Sequence, residues 1–72
     1  MRLDEIKAYQ ECVIEQLMKK YHLNELSARK LLRESYLPVA LKMDAEETLH
    51  DPIEYWADMI YKESKKEKLL QM

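Results

Sequence analysis

The sequence predicts an all-α domain, a small bundle of three long-to-medium helices and one short one. Three features predict it. The chain has no glycine and no phenylalanine and is rich in Leu, Glu, Lys, Ala and Met, a mix that favours helix over strand. Its apolar residues recur mostly at steps of three and four, the period of a helix face. Helix-start signals at Asn24, Pro38 and Asp51-Pro52 divide the chain into segments of helical length.

The first helix is expected over about 3–21. Leu3, Ile6, Tyr9, Val13, Ile14, Leu17, Met18 and Tyr21 form one broad apolar stripe, while Glu5, Glu11, Glu15 and Lys19 face away. Asp4 suits the first turn, and Lys19 and Lys20 suit the negative C-terminal end of the helix dipole. The pattern breaks at Tyr21-His22-Leu23-Asn24. Asn24 then caps a second helix over about 25–35, with Leu23 placed to staple onto Ala28. Ala28, Leu31, Leu32 and Ser35 form its inward side, and Arg29, Lys30 and Arg33 a solvated basic side.

Pro38 sits well at a first helical position, where its missing N–H costs nothing. A short helix over about 38–43 follows, with Val39, Leu41 and Met43 expected to close the core. Residues 44–50 are polar except for Ala45 and Leu49 and read as a loop, with at most one frayed turn. Asp51-Pro52-Ile53-Glu54 combines an N-cap acid, a proline at the first position and a glutamate at the third, close to a capping box. It starts a last helix over about 52–66. The expected domain is residues 1–68, with 69–72 as a frayed tail.

At seventy-two residues the chain buries only about 60% of the surface its unfolded form exposes, so its stability margin is thin. One cysteine, Cys12, excludes an internal disulfide. The composition fits a reduced, cytoplasmic protein for which homo-oligomer formation is one route to extra stability. Residues MRLDEIKAYQ carry charges where a signal peptide needs an apolar core, and no apolar run reaches the roughly 20 residues that span a bilayer. Without glycine no P-loop or dinucleotide fingerprint can form, and no cofactor is expected.

Charge is unevenly placed. Residues 44–61 carry six acids and no Lys or Arg, whereas 23–43 and 62–72 each carry net +2. The last helix begins in this acidic third. On a wheel of 100° per residue, Ile53, Trp56, Ala57, Ile60 and Ser64 fall on one face. Tyr61 lies on one shoulder and Tyr55 and Met59 on the other, and only Glu54, Asp58 and Lys62 fill a polar sector. The apolar arc is about twice the usual width of a little over 100°. Core and shoulder packing is the first reading of Trp56 and Tyr61, with Tyr61 kept as a candidate for contact with a partner. Tyr55 and Met59 fit packing or a docking seam equally, since aromatic and Met centres with a charged rim suit interfaces. The expected partner-binding residues are Tyr55, Met59, Asp58 and Tyr61, with Glu46 and Glu47 as the rim.

Other chemistry finds little support. His22, His50 and Cys12 lack metal-ligand spacing, and nothing pairs Cys12 with a histidine as nucleophile and base. Asp51 and Glu54 could mimic an acid–base pair, but helix capping accounts for both. The main rival is helix-turn-helix DNA binding, with Arg29, Lys30 and Arg33 on phosphates. Against it, the following short helix offers only Lys42 to read bases, and the domain is acidic overall. A third reading is a homodimer that buries the same seam against itself.

The phrases KKYHLNELSARKLLRESYLP and LHDPIEYWADMIYKE resemble a family of small bacterial helical proteins of similar length, with no assigned biochemical activity. The resemblance covers nearly the whole chain. Its most specific part is Leu49-His50 followed by Tyr55-Trp56-Ala57 and Ile60. Asp51 stands where such relatives often have Ser before Pro, which leaves a capping role intact. The resemblance implies an antitoxin-like or accessory protein encoded beside a toxin-like partner, and it assigns no binding residue.

Overall fold

The computed structural model describes residues 2–70, with side chains for 3–65. Five helices follow one another among the described residues, and no strand interrupts them. They are α1 (Arg2–Tyr21), α2 (Glu25–Glu34), α3 (Leu37–Met43), α4 (Ala45–Thr48) and α5 (Ile53–Leu70). The two long helices α1 and α5 pack side by side, α2 lies against both, and the α3–α4 pair closes the bundle.

The α1 stripe behaves as its spacing predicts, with Tyr9, Val13, Ile14 and Leu17 buried. Against it come Ala28 and Leu32 from α2, Leu37 and Leu41 from α3, and Trp56, Ala57 and Ile60 from α5. Each fully buried Leu, Ile or Val contributes roughly 1.5–3 kcal/mol relative to exposure. α1 ends because His22 enters the left-handed region, φ 55°, the C-terminal conformation that glycine usually supplies. Asn24 then caps α2, its side-chain oxygen accepting from the Ser27 N–H at 2.8 Å.

Three expectations need correction. Val39, Leu41 and Met43 cannot all face the core, because residues two apart on a helix point about 200° apart. Leu41 is buried together with Leu37 one turn earlier, while Val39 and Met43 are 46% and 75% exposed. The segment after Met43 holds one ordered helical turn where the sequence predicts at most a frayed one. Asp44 accepts from the Glu47 N–H and starts α4, and the Thr48 hydroxyl donates back to the Ala40 carbonyl at 3.2 Å. So short a helix carries no apolar period. Asp44 and Glu47, spaced as a capping box, were its only sign in the sequence.

Asp51 does not cap α5. The helix begins at Ile53, and the Pro52 carbonyl accepts from the N–H groups of Tyr55 and Trp56. That leaves Asp51 free for a different task. Its carboxylate accepts from Trp56 Nε1 at 3.1 Å, and its backbone carbonyl accepts from the Tyr9 hydroxyl at 2.7 Å. Burying a large aromatic side chain is favourable only when its polar tip finds a partner, and one turn residue serves two of them. The backbone of α5 continues as helix to Leu70, past the expected end near Lys66. The remainder of the expected frayed tail, residues 71 and 72, lies outside the described residues.

A candidate protein-docking surface

The α5 helix presents two different shoulders. On one, Tyr61 stacks on Tyr21 of α1 with ring centroids 3.8 Å apart and planes 7° from parallel. Beside the stack, Lys20 Nζ lies 3.0 Å from Glu54 Oε1 and 2.9 Å from Asp58 Oδ1, and the Tyr21 hydroxyl donates to Asp58. The hydroxyl and the ammonium together hold the Asp58 carboxyl below its ordinary value. The same carboxylate pushes the Tyr21 phenol up, and the hydrogen bonds that Lys20 donates to Asp58 and Glu54 push its ammonium up. Asp58 and Tyr61 therefore face the α1–α5 seam, away from Tyr55 and Met59.

On the other shoulder Tyr55 is 51% exposed and Met59, one turn later, 37%. Tyr55 is nevertheless placed, because its ring meets the edge of Trp56 at 5.9 Å with planes 80° apart, and Trp56 is itself held by Asp51. The wheel separated these shoulders by angle, but it could not say which one α1 would cover.

The acidic third divides by use. Asp44 caps α4, Asp51 holds Trp56, and Glu54 and Asp58 bind Lys20. Glu46 and Glu47 point outward from α4 and are exposed.

A second apolar face escaped the sequence reading. Tyr36, Val39 and Met43, spaced as one helix face, are 51%, 46% and 75% exposed. The signal was present in the i, i+3, i+7 spacing, and assigning Val39 and Met43 to the core concealed it.

Of the three cationic residues expected on phosphates, Arg29 is paired with two acids. The Arg29 guanidinium forks onto both oxygens of Glu11 at 2.8 Å and reaches Glu25 through Nε at 2.8 Å. This pairing holds Glu11 below its ordinary value and pushes Arg29 up. Lys30 and Arg33 are exposed.

Cys12 is exposed, and His22 lies ten residues further along the chain at the end of α1, roughly 15 Å away at helical rise. His50 is exposed. Among the described residues no group of three His, Cys, Asp or Glu converges to hold a metal. A small cleft of about 30 Å³ between α2 and α5 is lined by Leu31, Glu34, Ser35, Ile60, Glu63 and Ser64. No helix among the described residues is long and apolar enough to cross a membrane. Comparisons with protein families, with curated proteins and with solved structures find no match for this chain.

Proposed function

We propose that this chain is a non-enzymatic module that binds a partner protein in the cytoplasm, through the outer shoulder of α5. The observation that carries the reading is Tyr55 and Met59, exposed one turn apart on a helix whose inner face is fully committed to the core. Tyr is over-represented among residues that dominate binding energy, because it brings a large rigid surface with a polar tip. Met adapts to irregular partner surfaces. Glu46 and Glu47 supply a negative rim, so the fitting partner surface is apolar at its centre and basic at its edge.

An antitoxin-like or accessory role for this module rests on the family resemblance and on no feature of the fold. The test is co-purification of the chain with the product of the adjacent gene. Wild type is expected to retain that product, and the double variant Tyr55→Ala with Met59→Ala to lose it. Equal recovery by both removes the seam from consideration. The helix-turn-helix reading is less favoured, since the outward face of α3 is Tyr36, Val39 and Met43 and Arg29 is neutralised by two acids. It requires a salt-dependent shift of promoter DNA in a low-salt gel.

A further inference from the structure

The ring contact between Tyr21 and Tyr61 across the α1–α5 seam is unusually close. Both residues are half-buried, with centroids 3.8 Å apart and planes 7° from parallel. Aromatic pairs left to themselves favour offset or edge-to-face geometry with centroids roughly 4.5–7 Å apart. This pair is held closer because its two helices pack side by side and because the Tyr21 hydroxyl is tied to Asp58. No other two tyrosines stack among the described residues. Tyr9 is buried and bonded to Asp51, Tyr36 is exposed on α3, and Tyr55 meets Trp56 edge-on.

We infer that Tyr21 and Tyr61 form an oxidative cross-linking site, at which a peroxide-driven one-electron oxidant joins α1 to α5 through a dityrosine bond. Each ring gives one electron to the oxidant and loses its phenolic proton. Tyr21 passes its proton to Asp58, which already accepts its hydrogen bond, and Tyr61 passes its own to water. The two radicals join through a carbon ortho to each oxygen, and the displaced ortho hydrogens move to the oxygens and restore both phenols. Terminal ring torsions are broad, so the rings tilt from parallel as the bond forms. The chain loses two hydrogen atoms in all, and hydrogen peroxide leaves as two waters. Because the rings are already in contact, coupling within the chain needs no bimolecular encounter. It therefore outpaces coupling between chains through exposed Tyr36 and Tyr55 at low concentration. The bond encloses α2, α3 and α4, and closing so long a loop removes entropy from the unfolded state. Cys12 has no second cysteine with which to do the same.

The test treats the dilute chain with a haem peroxidase and limiting hydrogen peroxide, then separates monomer from covalent dimer on a reducing gel. No binding partner is present, so the outcome is independent of the α5 docking reading. Wild-type monomer is expected to carry dityrosine fluorescence and to yield, on digestion, joined peptides that contain Tyr21 and Tyr61 and lack two hydrogens. Tyr21→Phe and Tyr61→Phe each keep the ring and remove the phenol, and circular dichroism checks that both stay helical. Each is expected to lower monomer dityrosine fluorescence at least tenfold. The cross-linked wild type is expected to melt at least about 10 °C above the untreated chain. Dityrosine confined to dimers, joined peptides from another tyrosine pair, or monomer fluorescence that survives either substitution overturns the inference. An unchanged melting temperature overturns the staple.

Discussion

Three residues hold the turns of this glycine-free chain in place, and each makes a separate prediction. His22 sits at φ 55°, where a residue with a Cβ is strained by about 1–2 kcal/mol. Part of that gain is offset by the larger unfolded-state entropy of glycine. His22→Gly is therefore expected to stabilise by about 0.5–1 kcal/mol, raising the melting temperature by a few degrees in a domain this size. Asp51 accepts from the buried Trp56 indole. Asp51→Ala strands that N–H and is expected to cost about 1–3 kcal/mol, while Asp51→Asn keeps an acceptor and costs less. Denaturant titration read by Trp56 fluorescence distinguishes them. Burial, with the charge of Asp51 adding to it, pushes the Tyr9 phenol up to about 12. The neutral form is favoured on folding, so its contribution is complete below the ordinary tyrosine value near 10. It is lost as pH rises through about 12, and Tyr9→Phe is expected to remove that part of the alkaline loss. The sequence marks Asp51 as a helix-capping residue, whereas its two partners lie on α1 and α5. Only tertiary packing could reveal them.

Among the elements, α1 and α5 carry both the core and the polar strut of Lys20, Glu54, Asp58 and Tyr21. The Asp58 carboxyl is held below its ordinary value, which favours its charged form in the folded state. Its contribution is therefore present above the unfolded carboxylate range and is lost as pH falls through the lowered folded value. Thermal melts at decreasing pH are expected to show this acid loss in wild type and a shallower one in Asp58→Asn. An equal slope in both proteins would remove the strut from the account. The long helices were legible because twenty residues of three-and-four spacing outweigh any local ambiguity. The short ones were not. In α3 alternate apolar residues look like one face until helical geometry splits them. In α4 the capping pair Asp44 and Glu47 had no apolar pattern beside it.

For the whole molecule, the single core means that little stability is held in reserve. Leu17 is fully buried between the helices, and Leu17→Ala is expected to cost about 2–5 kcal/mol. Total stabilities run near 0.05–0.15 kcal/mol per residue, so this change consumes a large share of the total and should be visible as extensive loss of helicity at moderate temperature. Such a chain leaves few side chains for any task beyond folding. The acidic third illustrates this, since four of its six carboxylates are engaged internally. From the sequence, the wheel separates Tyr55 and Met59 from Tyr61 by angle but assigns neither shoulder to the core, because which one α1 covers depends on how the long helices pack. The central claim is that the uncovered shoulder of α5 is kept for a partner protein. Calorimetric titration of the co-purified partner with wild type, with Tyr55→Ala plus Met59→Ala, and with Leu26→Ala tests it most directly, Leu26 being an exposed apolar residue on α2. The account predicts at least about tenfold weaker binding for the α5 double variant and wild-type affinity for Leu26→Ala. Wild-type affinity in the double variant, or an equal loss in Leu26→Ala, would contradict it.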